Sequence, residues 1–119
     1  MRLIIPALFA LTAPLPALAQ GTPPAHCAVG VQFGSYAMGI DRPALERVRT
    51  LLGRDRGVLT VEMRRWGREG EMTLCVQLRD PRDARRVFAR VKSVLPARPR
   101  GPITVETREG LRFETPRPR

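Results

Sequence analysis

The chain has few of the side chains that carry out most enzyme chemistry. Its 119 residues include one histidine, two cysteines, one tryptophan and one tyrosine, and aromatic residues make up 5% of the total. Hydrolases and transferases need a nucleophile, a base and a group that orients the base, and a single histidine beside a cysteine does not supply this set. We therefore expect no enzymatic activity, no cofactor and no bound metal.

The chain is too short for two ordinary domains, because 119 residues build one hydrophobic core. Hydrophobic residues make up 43% of the sequence, which is more than a disordered chain contains. These two observations predict one small folded domain.

Apolar runs long enough to cross a bilayer are also lacking. The run at 3–13 follows Arg2, is interrupted by Pro6 and leads to the small residues around Ala17 and Ala19. A short membrane anchor is the alternative, but a spanning helix needs about 20 mostly apolar residues. We predict that 1–19 is a cleaved secretory signal peptide. No transmembrane segment would remain, and the mature protein would be periplasmic, or secreted if the source is not a Gram-negative bacterium.

Acidic residues and lysine are scarce. The 21 basic residues, of which only Lys92 is a lysine, face 11 acidic residues, so the formal net charge is +10. The planar guanidinium of arginine suits carboxylates and phosphates, which makes an anionic envelope component a candidate partner. Nucleic acid is not expected outside the cytoplasm. The alternative is that the arginines reflect a GC-rich genome.

Alternating and helical patterns predict the elements of the first half. Residues 28–37 alternate apolar and polar side chains, which indicates a half-buried strand. Asp41 is a suitable N-cap, apolar residues then recur at helical spacing, and Gly53 suits the end of that helix. Two alternating runs at 58–64 and 72–78 flank a glycine-containing turn, which is typical of a β-hairpin.

The second half repeats the pattern. Asp80 and Pro81 predict the start of a second helix that ends near Leu95, and 103–108 alternate as a last strand. A turn at Glu109 and Gly110 could add a short extra strand at 111–113.

The predicted order β-α-β-β-α-β indicates an α+β protein of the ferredoxin-like type, with two helices on one face of a four-stranded antiparallel sheet. A different strand order is the alternative. We expect a flexible lead-in at 20–27, one domain at 28–115 and a mobile tail at 116–119. The predicted core strand residues are Val29, Val31, Phe33, Leu59, Val61, Met63, Leu74, Val76, Ile103 and Val105. The predicted open face, opposite the helices, carries Gln32, Tyr36, Thr60, Glu62, Arg64, Thr73, Gln77 and Thr104.

The two cysteines predict a structural disulfide, because exported proteins usually pair such residues. Cys27 and Cys75 would lie at adjacent ends of neighbouring antiparallel strands. By strict alternation they would belong to opposite faces, so Cys27 must precede the regular strand. A soft metal site of His26 with Met63, Met72 or Cys75 is a weaker alternative.

The predicted hairpin carries the lone tryptophan among arginines: Arg64, Arg65, Trp66 and Arg68. Such a group can stack on a sugar or contact an anion. Alternatively, Trp66 covers the sheet edge and the arginines keep the turn soluble. Glu69 and Glu71 beside the turn are expected to be solvated.

The segment 31–37, Val-Gln-Phe-Gly-Ser-Tyr-Ala, resembles the opening of SPOR domains, and 75–78 followed by 83–92 is similar to their second half. The similarity spans about 31–107. The chain departs from the pattern by the extra residues 38–40 and by Arg-Asp-Pro at 79–81. The resemblance implies a ferredoxin-like domain that binds peptidoglycan glycan on the open sheet face.

The resemblance, carried over by position, places Gln32, Ser35 and Tyr36 at the glycan-binding surface. The candidate ligand-binding residues are therefore Gln32, Ser35, Tyr36, Arg64, Arg65, Trp66 and Arg68. We expect a non-catalytic binding domain of the cell envelope. The alternative is an accessory subunit that docks on another periplasmic protein.

Overall fold

The computed structural model describes residues 26–117. A one-turn 3₁₀ helix at Pro81–Asp83 stands where the second helix was predicted to start, and the other elements are five strands and two α-helices. They are β1 (Val29–Phe33), α1 (Arg42–Arg54), β2 (Val58–Trp66), β3 (Glu71–Leu78), α2 (Ala84–Val94), β4 (Ile103–Thr107) and β5 (Arg112–Glu114). The predicted signal peptide, the lead-in up to residue 25 and residues 118–119 lie outside this range. Within it, neither helix has the length and apolarity required to span a bilayer.

The strands form one antiparallel sheet in the order β2-β3-β1-β4-β5. The α+β class is confirmed, but the expected four strands are one too few. The extra strand lies at 112–114, where Phe113 pairs with Val105, and Thr115 N–H continues the pairing by donating to the Ile103 carbonyl at 2.9 Å. Gly110, with φ of 101°, makes the turn that returns the chain.

The core lies between one face of the sheet and the two helices. Val29, Val31 and Phe33 of β1 are fully buried, and both helices contribute to the same cluster. The buried helix residues of this cluster are Ala44, Leu45, Val48, Leu52, Ala84, Val87 and Val91. Burying each valine or leucine contributes about 1.5–3 kcal/mol, so this layer holds the helices on the sheet. Residues of opposite parity are thereby directed to the open face.

Two predicted core residues are exposed, Leu59 by 53% and Met63 by 46%. Val58 pairs with Leu78 whereas Thr60 pairs with Gln77, so β2 has an extra residue at this point. This β-bulge breaks the alternation, and Val58 packs against the core where Leu59 was expected to. Met63 keeps the core parity, but β2 is an edge strand and neither helix covers Met63 there.

The predicted disulfide between Cys27 and Cys75 is confirmed, with Cα atoms 5.3 Å apart. Cys75 lies opposite Gly30 in the sheet and belongs to the open face. Cys27 precedes β1, so it is free of the alternation and reaches Cys75 from the open side. Ala28 N–H, between Cys27 and the strand, donates to the Val76 carbonyl at 3.0 Å. The crosslink therefore fixes the start of β1 to the centre of the sheet.

The two helices are joined by a buried carboxylate. The Asp55 side chain, 4% exposed at the end of α1, accepts from Arg86 at 2.7 and 3.1 Å and from Arg90 at 3.0 Å. The same carboxylate accepts from Gly57 N–H at 2.9 Å. Hydrogen bonds from Arg86 hold the pKa of Asp55 below its ordinary value of 3.8. Asp55 thus links the C-terminal end of α1 to α2.

We expect Asp55→Asn to lower the free energy of unfolding by about 1–2 kcal/mol at pH 7, because the neutral amide cannot form ion pairs with Arg86 and Arg90. The loss is moderate because both arginines are half-exposed and water can solvate them instead. The folded pKa is depressed, so this stabilisation is present above pH 3.8 and is lost as the pH falls through the folded value. Urea unfolding of both proteins at several pH values measures it. Glu46→Gln, in the exposed pair with Arg49, is the control and should change little.

Removing the disulfide by Cys27→Ser with Cys75→Ser should lower the melting temperature but preserve the secondary structure. The cysteines are 48 residues apart, and in the chain-entropy model a loop of this size contributes about 4 kcal/mol. For a domain of this size that corresponds to roughly 15–30 °C in melting temperature. Circular dichroism melts test the expectation. An unchanged melting temperature would contradict a structural role for the bridge.

Candidate functional site

The open face presents a row of polar side chains across all five strands. Gln32 lies opposite Thr73 on one side and Thr104 on the other, and the row ends at Arg64 and Glu114. These residues share one parity, so their side chains leave the sheet on the same face. Gln32 is therefore at the centre of the sheet face opposite the helices, where its neighbours Thr73 and Thr104, predicted to lie on an open face, are buried.

A concavity of about 210 Å³ opens beside Gln32. Gly34 N–H donates to the Pro102 carbonyl at 2.8 Å, and a Cβ at position 34 would lie 2.9 Å from Pro102 Cγ. The glycine thus allows the two segments to approach closely and leaves no side chain of its own in the concavity. The lining residues are Gln32, Gly34, Trp66, Pro102, Thr104, Arg112 and Glu114.

Two lining residues carry buried N–H groups without an acceptor. The Nε2 atom of Gln32 and the Nε1 atom of Trp66 are buried and have no hydrogen-bond partner within residues 26–117. Buried polar groups are nearly always paired, and an unpaired one costs about 1–3 kcal/mol. Gln32 and Trp66 both line the same concavity, so a rotation of their side chains would bring the two N–H groups to acceptor oxygens of a ligand there.

The charges at the concavity are balanced. Arg112 forms ion pairs with Glu106 and with Glu114, the second at 3.6 Å. Arg112 and Glu114 are both more than half exposed, so their charges remain accessible to water. The lining of the concavity therefore includes the indole of Trp66, the amide of Gln32 and the hydroxyl of Thr104. Its one cation, Arg112, is paired with glutamates.

The predicted arginines do not form one group around Trp66. Arg64 shares the open face with Trp66, whereas Arg65 pairs with the core-side residue Met72 and lies on the opposite face. Arg68 lies exposed in the hairpin turn. Strand alternation thus separates Arg64 from Arg65, although they are adjacent in sequence.

Arg64 is engaged within the chain. It donates to both oxygens of Glu62 at 3.1 Å and contacts His26 Nε2 at 2.9 Å. These hydrogen bonds lower the pKa of Glu62 and raise that of Arg64. Arg64 therefore contacts His26 as well as belonging to the open face.

His26 lies over the Gln77 end of the open face. The His26 carbonyl accepts from Gln77 Nε2 at 2.8 Å and from Arg108. His26 lies beside the disulfide, and its ring and the two sulfurs are within 4.8 Å of one another. Thiolates bind metals, but both sulfurs are in the disulfide bond, which leaves the imidazole as the single ordinary ligand of this group.

Ser35 positions the loop after β1. Its hydroxyl donates to Glu69 of the hairpin and accepts from the N–H groups of Ala37 and Gly39, each at 2.9 Å. Tyr36 is half-buried, and its hydroxyl has no partner in the described chain. These contacts connect the loop to the hairpin that carries Trp66.

Glu71 differs from expectation, because its residue is buried rather than solvated. Its carboxylate accepts from Glu69 N–H at 2.9 Å, and a Cβ at Gly67 would collide with it. Gly67, with φ of 66°, lets the turn close over this carboxylate. The turn that follows Trp66 is thus stabilised by the hydrogen bond between Glu69 N–H and the Glu71 carboxylate.

Sequence reasoning omitted several lining residues. The alternating pattern predicts Thr104 on the open face but not in the site, and it gives no indication of Pro102, Arg112 and Glu114. The alternation of β4 was a sufficient signal for Thr104. Arg112 and Glu114 belong to β5, whose three residues are too few to reveal a period.

We expect Ser35→Ala to reduce the free energy of unfolding by about 1 kcal/mol, because the Glu69 carboxylate and two backbone N–H groups lose their partner. Thermal unfolding of the purified protein measures the change. Thr50→Ala, an exposed position of α1, is the matched control and should be neutral or slightly stabilising. Equal effects of both substitutions would contradict a positioning role for Ser35.

Comparisons with known proteins were made for the whole chain. No protein-family model, no curated protein and no solved structure matches it. The geometry of the open face is therefore the basis for a functional assignment.

Proposed function

We propose that this chain is a small, exported, non-catalytic binding domain of the cell envelope that holds its ligand at the concavity of Gln32 and Trp66. The observation that carries this proposal is that two residues lining one concavity each have a buried N–H group with no partner within residues 26–117. A buried N–H group without an acceptor destabilises the free protein, so a ligand that supplies the acceptor oxygen gains the free energy of that hydrogen bond.

A glycan is the ligand class that suits these residues best. A sugar offers hydroxyl and acetamido oxygens as acceptors, and its ring can stack on an indole. The pairing of Arg112 with Glu106 and Glu114 makes a purely anionic polymer a poorer fit at this position. Among envelope glycans, we propose the peptidoglycan strand.

The strand order supports this proposal. Without β5, the observed order β2-β3-β1-β4 is that of a ferredoxin-like βαββαβ sheet. The sequence resembles SPOR domains, and Gln32, which matches their opening motif, lines the concavity. Of the other matched positions, Ser35 is engaged with Glu69 and Tyr36 is half-buried, so neither is assigned a ligand contact.

Location outside the cytoplasm is part of the proposal. The Cys27–Cys75 disulfide is the kind of bond that persists in oxidising compartments. The signal-like segment at 1–19 would direct export to the periplasm, or to the medium in an organism without one. Peptidoglycan is accessible there, whereas nucleic acid is not.

An accessory subunit that docks on another periplasmic protein is the second candidate. The exposed Leu59 and Met63 of β2 favour it, because edge strands with apolar side chains are common contact sites. Native mass spectrometry of the protein from its own periplasm distinguishes the candidates. A stoichiometric foreign protein would support docking.

Retention of the mature protein on peptidoglycan sacculi tests the glycan proposal. Trp66→Phe keeps a ring but removes the N–H donor, and Gln32→Leu removes the amide. We expect each to weaken retention about 2–12-fold, the value of one hydrogen bond, and Trp66→Ala to weaken it further. Thr60→Ala, on the same face of β2 as Trp66 but outside the concavity, should bind as wild type.

Sacculi treated with amidase and untreated sacculi are compared in parallel. Stronger retention after treatment would support binding to the glycan strand without stem peptides. Absence of retention on both would remove the glycan proposal. Equal retention of all variants would place binding elsewhere on the chain.

A further inference from the structure

We propose that two copies of this chain associate through antiparallel pairing of β2 with β2, which joins their sheets into one. The surface is the outer edge of β2, the nine residues Val58–Trp66, whose one neighbour in the sheet among residues 26–117 is β3. An edge strand presents backbone N–H and C=O groups that can pair with another strand. The opposite edge, β5, has three residues and is soon followed by Pro116, so it offers much less.

The bulge near the start of β2 sets the register. Pairing with β3 is regular from Thr60 to Trp66, and the irregularity lies between Val58 and Thr60. The midpoint of this regular segment is Met63. A two-fold pairing that uses the whole segment therefore places Met63 opposite Met63 of the second copy.

This register brings opposite charges together. With Met63 on the two-fold axis, Glu62 lies opposite Arg64 of the second copy, and symmetry repeats the pair. Glu62 and Arg64 share the open face and are already paired within each chain, so the four side chains of two copies would form one cluster of alternating charge. Centring the pairing on residue 62 or 64 would oppose like charges, which is destabilising. The midpoint and the charge pattern thus select the same register independently.

The apolar side chains of the edge also become covered. Met63, 46% exposed in the single chain, would contact Met63 of the second copy on the core side of the sheet. Val61 would lie opposite Arg65, whose aliphatic stem can pack along it. This burial gives a reason for exposed apolar residues on a strand that otherwise alternates.

The net charge of the molecule does not prevent this contact. The β2–β3 hairpin, residues 58–78, is neutral, because its three arginines are matched by three glutamates. The excess of positive charge lies in other segments, including α1 and α2. Repulsion over more than about 8–10 Å is largely screened at physiological salt.

Sedimentation of the mature protein over a wide concentration range tests the proposal. An interface of this size belongs to the weak class, so we expect a reversible monomer–dimer equilibrium at micromolar or higher concentration. Glu62→Arg and Arg64→Glu, each alone, should weaken dimerisation at least about tenfold, because each puts like charges opposite one another. Glu46→Arg and Arg85→Glu make the same charge changes on exposed helix positions and should have little effect.

Mixing the two single variants gives the sharpest result. The variant with arginine at 62 and 64 is complementary to the variant with glutamate at both, so a 1:1 mixture should recover dimers as the mixed species. The double exchange, Glu62→Arg with Arg64→Glu, should recover the homodimer. Recovery on mixing is the decisive result, because neither single variant can form the ion pair between residues 62 and 64 within its own chain.

Crosslinking gives a second measurement. Met63→Cys should form a disulfide-linked dimer, because residues opposite each other in antiparallel strands have Cα atoms about 4.5–5.5 Å apart. Leu59→Cys, equally exposed but not on the axis, should not. A monomer at every concentration, which would leave the edge to a foreign strand, overturns the proposal. So does a dimer that is insensitive to residues 62 and 64, or no recovery on mixing.

Discussion

The Cys27–Cys75 disulfide is the constraint on which the arrangement of the open face depends. It holds the segment before β1 against β3 from the open side, so the His26 carbonyl reaches Gln77. His26 thereby lies over the Gln77 end of this face. Gln32 lies towards the other end, beside the concavity, with Thr73 and Thr104 buried next to it. The crosslink thus stabilises a small core and also determines where a ligand could approach.

The core determines which side chains are available there. Because Val29, Val31 and Phe33 are buried against the helices, the residues between them must point away from the helices. The Asp55 contact to Arg86 and Arg90 joins the two helices at their end, on the side away from the candidate site. The helix contacts therefore lie on one face of the sheet, whereas the disulfide and the concavity lie on the other.

Sequence patterns predicted the parts of the fold that depend on local order. Asp41 is the N-cap, as expected, and accepts from Ala44 N–H at 3.0 Å. The bulge at 58–60 was not predictable, because Val58 and Leu59 are both apolar and the sequence does not show which of them faces the core. The pairing of Asp55 with Arg86 joins residues 31 positions apart and has no local signal. Gln32 and Trp66, which the sequence offered as candidates from two separate segments, both line the concavity, whereas Arg112 depends on the short strand β5.

The central claim is that the buried N–H groups of Gln32 and Trp66 bind an acceptor-rich ligand. The chain has one tryptophan, so its indole N–H gives a single resonance in a ¹⁵N-labelled sample. Titration with soluble peptidoglycan fragments that lack stem peptides is the most direct measurement. We expect saturable shifts of this resonance and of the Gln32 side-chain amide, with the α1 and α2 resonances unchanged. Shifts confined to the arginine-rich helices, or no shifts at saturating ligand, would contradict the account.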